Sequence, residues 1–275
     1  MKSEEKYDIL YDEEMSASAI CVPHEKGFFG AEIYCSPYRS GVSEKDILLQ
    51  RDRSDAVTKY DLERSVIASV PVGASVAFGF DGLCYPPQES VFRLTERALE
   101  IMYDLKNPIT VITKSDLILR DAGLIATIAG RSGATVIIPV FCEDNVSEVF
   151  EPDTALPSKR FEIMTRLSSS GIRCGMMLSP IIPYITDSAA AVKRLIKRAA
   201  DSGAKFIFCE PGLHLSDGQK PLFKKALDLY YPDFLRFYGT FSGNLFSVPR
   251  RAFLTEEIEE ECKKSKLDLT IKNIC

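Results

Sequence analysis

The chain alternates short, β-rich apolar runs with longer stretches whose apolar residues recur at helical spacing. From residue 31 this alternation predicts strand Ala31–Cys35, helix Thr58–Ala68, strand Ser75–Phe80 and helix Ser90–Leu105. In the last of these, Phe92, Leu94, Ala98, Ile101 and Met102 share one face. Strand Ile109–Thr113, helix Asp116–Ala129 and strand Ala134–Phe141 follow. After a longer loop come helix Pro157–Ser169, strand Ile172–Leu178, helix Ser188–Ser202 and strand Ala204–Cys209. Pro157 stands where a helix begins and its missing N–H costs nothing. Gly171 and Gly203 stand where helices end and a left-handed cap is needed.

Six βα repeats build either an open doubly wound sheet or a barrel, and periodicity does not choose between them. The first βα turn lacks a glycine-rich phosphate-binding fingerprint, which weakens a dinucleotide-binding or P-loop reading. The expected organisation is an N-terminal extension over 1–30, a barrel over 31–215 and a C-terminal extension over 216–275 packed on the barrel. Within that extension Phe234, Phe237, Tyr238, Phe241 and Phe246 form an aromatic segment suited to capping the barrel or to a homo-oligomer contact. The charged tail from Thr255 is expected to be solvated.

Charge narrows the choice of partner. A net charge of -5 argues against a general nucleic-acid binder. The charged N-terminus has no apolar signal core, and no apolar run is long enough to span a bilayer. The expectation is therefore a cytoplasmic protein that does not enter membranes. Eight cysteines then read better as thiols or metal ligands than as disulfides, although none forms a CxxC pair.

Five blocks occur in order between Cys35 and Leu213. They are Ser36-Pro37-Tyr38-Arg39; Tyr85-Pro86-Pro87-Gln88-Glu89; Ile112-Thr113-Lys114-Ser115 with Leu119-Arg120-Asp121; Phe150-Glu151-Pro152 with Arg160; and Gly171-Ile172-Arg173-Cys174-Gly175 with Ser179-Pro180-Ile181-Ile182-Pro183 and Asp187. In these blocks the chain resembles the spore photoproduct lyase-like (DNA repair photolyase) family of the radical SAM superfamily. The resemblance implies a partial (β/α)6 barrel of TIM type rather than an open doubly wound sheet.

The chain also departs from that family. The resemblance calls for a CxxxCxxC loop that holds a [4Fe–4S] cluster. After Arg39 the sequence runs through Ser40-Gly41 without one, and laying Ile33-Tyr34-Cys35 on the loop puts Phe28 and Glu32 at the other two ligand positions. Neither Phe nor Gly replaces a thiolate. Glu151-Pro152-Asp153 carries an acid where the family has an arginine, and Gly82-Leu83-Cys84 precedes the Tyr85 block. Reductive cleavage of S-adenosylmethionine is therefore not carried over.

Cys35, Cys84, Cys142 and Cys209 fall at or just past predicted strand ends, the face on which parallel barrels build their sites. Four thiols there are candidates to bind zinc or a relocated iron–sulfur cluster, although a barrel mouth is far wider than a Zn–S bond of ~2.3 Å. Buried thiols without a role are the plainer alternative. Lys114 is a candidate anion-binding or Schiff-base amine, and Glu143 and Glu210 are candidate acid–base groups. Asp81 and Tyr85 fall where the resemblance places cofactor contacts, while Arg160 is expected to serve helix or loop packing, with anion or cofactor binding as the lesser alternative. Two readings follow. One is a non-classical metallo- or iron–sulfur protein with a small-molecule ligand at the mouth. The other is a cluster-less binding module.

Overall fold

The computed structural model describes residues 9–12, 17–20, 72–73, 75–79, 84–85, 89–152, 154–209, 211–215, 219–239, 243 and 245–271. The predicted strand Ala31–Cys35 and helix Thr58–Ala68 lie outside them, as do Cys35, Asp81 and Glu210. The described residues fall into two compact units. One holds those up to Ile137 together with Ser169–Arg173; the other holds Ile138–Ser168 and those from Cys174 onward.

In the first unit β1 (Ile9–Asp12) pairs antiparallel with β2 (Ala17–Ile20). Then β3 (Ser75–Phe78), β4 (Ile109–Ile112) and β5 (Ala134–Pro139) follow in parallel register, with Val111 opposite Phe78 and Val136. Val76, Phe78, Val111 and Val136 are fully buried, as expected of parallel strands that read as continuous apolar runs. In the second unit β6 (Arg173–Leu178) and β7 (Phe206–Cys209) are parallel, and β8 (Leu213–His214) pairs antiparallel with β9 (Leu245–Phe246). A last strand, β10 (Asp268–Ile271), lies parallel to β7. Backbone pairing gives the order β1-β2-β3-β4-β5-β6-β7-β10, an open sheet with a six-strand parallel core of β3 to β7 and β10, to which β2 adds in parallel and β1 antiparallel at the edge. This is a mixed α/β fold with a partial barrel, as the sequence implies.

Two helices expected to be continuous are broken. The stretch from residue 89 divides into α1 (Glu89–Phe92) and α2 (Leu94–Leu105) at Arg93, whose φ is 53°. The Glu89 carboxylate accepts from the N–H groups of Thr95 and Glu96, at 3.0 and 3.2 Å, and so serves as the cap that starts α2. The next stretch is a 3-10 turn over Asp116–Arg120 followed by α3 (Ala122–Arg131). Arg120 and Asp121 are adjacent and hydrogen-bond each other. An α-helix holds i and i+1 side chains apart, so the break lets them converge.

The second unit carries α4 (Asp144–Phe150), which replaces the expected loop, and α5 (Pro157–Ser169), which starts on Pro157 as expected. It continues with α6 (Ala189–Asp201), α7 (Gln219–Tyr230), α8 (Leu235–Tyr238) and α9 (Arg251–Lys264). Gly203 follows α6 with φ +89°, and a Cβ there would sit 2.3 Å from the Ser168 hydroxyl, so glycine is required. The described part of the tail is buried along one face and solvated on the other. Leu254, Ile258 and Cys262, four apart on α9, are buried, and β10 hydrogen-bonds along β7. Each buried Leu or Ile contributes roughly 1.5–3 kcal/mol, more than the flanking charges oppose. The aromatic segment packs inward, with Phe150–Phe223 and Tyr231–Phe150 stacked at 5.4 and 5.7 Å.

Candidate functional site

At the ends of β3 and β4 the first unit closes around a buried polar cluster. Gly79, one residue past β3, has φ +82°, and a Cβ there would meet the Ile112 carbonyl at 2.1 Å. Only glycine lets the chain turn that close to β4. The turn delivers Cys84, whose buried thiol donates to that same carbonyl at 3.4 Å. Thr95 donates its hydroxyl to the Cys84 carbonyl, which ties α2 to the turn.

Next to it, the Tyr85 phenol donates to Asp121 Oδ2 at 3.0 Å. Arg120 grips Asp121 with Nε and Nη2, at 2.7 and 2.8 Å, and reaches Glu89 Oε1 with Nη2 at 2.7 Å. Its Nη1 donates to the Glu89 carbonyl at 2.9 Å. The two carboxylates are buried while Arg120 keeps an exposed edge. Hydrogen bonding to Asp121 holds the Arg120 guanidinium above its ordinary value, so it is charged at any working pH. Burial first, then the Asp121 charge, pushes the Tyr85 phenol well above its ordinary value. Lys114, two residues past β4, is half-buried, and the neighbouring Ser115 hydroxyl caps the 3-10 turn at Leu117.

In the second unit Arg160 of α5 is wholly buried. Its Nη2 meets Glu151 Oε2 and Thr154 Oγ1, each at 2.6 Å, and its Nη1 donates to the Pro139 carbonyl at 3.0 Å. Nε donates to the Ala155 carbonyl at 2.6 Å. The arginine thereby ties the end of β5 to the loop before its own helix. Cys142 lies in an apolar cluster with Phe141, Phe150, Ile182 and Leu213. Cys209 ends β7 fully buried, in register with Leu178 and Ile271. Glu143 is half-exposed and faces two arginines of α6, Arg194 and Arg198, at 3.7 and 3.6 Å.

Of the expected site residues, the structure therefore joins Tyr85 to Asp121, Arg160 to Glu151, and Glu143 to two arginines. Among the described residues, Cys84, Cys142, Cys174, Cys209 and Cys262 are in no disulfide. Among the described residues no three His, Cys, Asp or Glu side chains are gathered to hold a metal ion. Cys35, Asp81 and Glu210 lie outside those residues. Glu89, Arg120, Asp121 and Glu151 do most of the fastening, and the sequence reading assigned them no role. Their signal was there: all four sit in resemblance blocks.

The fold resembles that of spore photoproduct lyase. The solved structure of spore photoproduct lyase complexed with dinucleoside spore photoproduct covers 98% of this chain and 81% of its own, with a TM-score of 0.63 at 12% identity. A mutant of the same lyase matches at a TM-score of 0.61 and 12% identity over 96% of this chain and 79% of that one.

Among curated proteins the chain is similar to an uncharacterized protein of Mycobacterium tuberculosis (strain ATCC 25618 / H37Rv). Identity is 26% over 165 residues, which are 60% of this chain and 48% of that one. An uncharacterized protein of Methanocaldococcus jannaschii is 32% identical over 103 residues, 38% of this chain and 39% of that one. The chain spans about half the length, or less, of these curated relatives. No protein-family model matches it. No described helix is long and apolar enough to cross a membrane.

Proposed function

We propose that this chain is a radical SAM-like barrel that binds a ligand or partner without a three-cysteine cluster. The observation that carries this reading is the employment of the retained block residues. Tyr85, Glu89, Arg120 and Asp121 fasten one another, and Arg160 fastens Glu151 and two carbonyls. These are scaffold duties that a barrel needs whether or not it carries a redox centre.

The donor set does not fit the cluster that the fold family implies. Such a cluster requires several thiolates close together, and no cysteine spacing in the 275 residues matches CxxxCxxC. Cys84 donates its S–H to a backbone carbonyl and Cys142 lies in an apolar cluster, and among the described residues neither joins a group of metal-ligating side chains. No step through an iron–sulfur centre is therefore derived. What spore photoproduct lyase binds suggests a small ligand at the strand ends, with Asp81, Tyr85 and Lys114 as its candidate contacts.

A second reading has its own observation. Cys209 ends β7, and Cys84 and Cys142 follow β3 and β5, so with Cys35 they could supply a relocated metal site. Glu143, Glu210 and Lys114 would be its proton carriers. One experiment separates the two: purification without oxygen, then iron, zinc and labile-sulfide analysis with a visible spectrum. The binding-module reading expects colourless, folded protein with substoichiometric metal, and no 5′-deoxyadenosine after addition of dithionite and S-adenosylmethionine. Stoichiometric iron with sulfide, or one zinc per chain lost on replacing Cys209, would establish the second reading instead.

A further inference from the structure

In the second unit the loop from Ser179 to Ser188 leaves the end of β6 and leads into α6. It closes on itself: the Ile182 N–H donates to Thr186 Oγ1 at 2.7 Å, and the Thr186 N–H donates to the Ile182 carbonyl at 2.9 Å. The Ile181 N–H donates to the Gly212 carbonyl at 3.1 Å, and Ile181, Ile182 and Thr186 are buried. Within this turn Tyr184 has φ 65°, a left-handed backbone that glycine adopts freely and a bulky L-residue does not. A tyrosine kept there has to be held by its ring. That ring stacks on Phe237 of α8, with centroids 4.3 Å apart and planes 16° from parallel, and meets the Tyr238 ring edge-on at 6.4 Å. One residue back, the Pro183 carbonyl accepts from the Tyr238 hydroxyl. Tyr238 is itself braced against Phe223 at 5.2 Å and Phe246 at 5.8 Å, so α8 grips the loop from packed aromatic support.

We infer that α8 latches this loop: Phe237 and Tyr238 hold Tyr184 in a strained closed form, and their release opens residues 180–187 while β6 and α6 stay folded. Ring stacking and left-handed strain are of similar size, so they nearly cancel. The balance is then set by one hydrogen bond and the loop's own turn. A segment held by so narrow a margin opens well before its domain unfolds. The opening lies at the carboxyl end of a parallel strand, where such barrels take their ligands. That the latch governs entry there rests on the ligand-binding function proposed above; the latch itself does not. The experiment that follows uses no ligand and no metal, so either can fail without the other.

Hydrogen–deuterium exchange of the full chain at neutral pH, read by mass spectrometry, tests the latch. Phe237→Ala removes the stack and should speed exchange in 180–187 about tenfold, leaving 173–178 and 189–201 at wild-type rates. Tyr238→Phe keeps the braced ring and loses the bond to Pro183, so the same segment should speed up about fivefold. Adding Tyr184→Gly to Phe237→Ala should slow exchange in 180–187 again, because the strain is gone. Unchanged exchange of that segment in Tyr238→Phe and in folded Phe237→Ala would overturn the inference. So would equal acceleration across the whole second unit, or faster exchange when Tyr184→Gly joins Phe237→Ala. Should Phe237→Ala fail to fold, Tyr238→Phe decides alone: acceleration confined to 180–187 supports the latch, and its absence overturns it.

Discussion

Two arginines fasten strand ends in this chain, and they do so in different surroundings. Arg120 keeps 22% of its side chain exposed and serves two buried carboxylates, Glu89 and Asp121. Arg160 and its partner Glu151 are each 0% exposed, and the arginine's remaining donors go to two carbonyls and a hydroxyl. In the first case water reaches one edge of the guanidinium and moderates both its desolvation and the loss of any one contact. In the second the full desolvation penalty is met, and the arginine's hydrogen bonds to Glu151, Thr154 and two carbonyls offset it. The dry pair is therefore the more fragile, although it involves fewer charges. Glu89 also caps α2, so the wetter cluster is tied into backbone hydrogen bonding that an apolar replacement cannot reproduce.

The sharpest way to break this comparison is Arg160→Met. It strands Glu151 without a counter-charge and should cost about 3–5 kcal/mol, read as a shift in the urea midpoint. Adding Glu151→Leu should recover much of that loss, because replacing both members removes the buried charge. Recovery will be incomplete, since the carbonyls of Pro139 and Ala155 lose their donor. If the single variant is no less stable than wild type, the pair is not the fastening it is taken to be. Arg120→Gln should cost less, about 2–3 kcal/mol, because water can enter at the exposed edge and one amide still reaches a carboxylate. A larger loss at Arg120 than at Arg160 would reverse the ranking and place the structural weight in the first unit.

The sequence carried the βα alternation because parallel buried strands must be apolar throughout, and β3 to β7 lie close to their expected bounds. Pro157 and Gly203 were legible because their backbone requirements are local. What it did not carry were features decided at a distance. The break at Arg93 depends on a Glu89 carboxylate reaching forward to cap α2, and the break at Asp121 depends on Tyr85, 36 residues earlier. β10 was hidden because Asp268–Ile271 follows a charged helix and becomes a strand only where β7 offers an edge. For the site, the residue types were visible but their partners were not: Arg160, expected to pack a helix or loop or to bind an anion or cofactor, turns its donors to Glu151, Thr154 and backbone. Cysteines at strand ends were legible as positions, while their burial, which sets thiol against thiolate, is a property of packing.

Tyr85 gives the smallest effect and the finest distinction between the two arginine clusters, because a phenol belongs to the Arg120 cluster and none belongs to that of Arg160. Tyr85→Phe deletes one hydrogen bond to Asp121 and should cost about 1 kcal/mol at neutral pH. Its ordinary value is 10.0, and in the folded chain burial and the Asp121 charge hold it well above that. Below pH 10 the phenol is protonated in both states and its contribution is constant. Above pH 10 the unfolded chain releases this proton and the folded chain keeps it, so the unfolded state binds fewer protons and stability falls as pH rises. Arg120 remains charged throughout that window, so the fall cannot come from loss of its cation. Buried thiols at Cys174 and Cys262, pushed up to about 12 from 9.0, weaken wild type and variant alike. Urea midpoints of wild type and Tyr85→Phe should therefore converge as pH rises above 10, whereas those of wild type and Arg160→Met should stay parallel. Parallel curves for Tyr85→Phe would mean that the phenol is not held by Asp121, and the Arg120 cluster would then be an ion pair with a bystander.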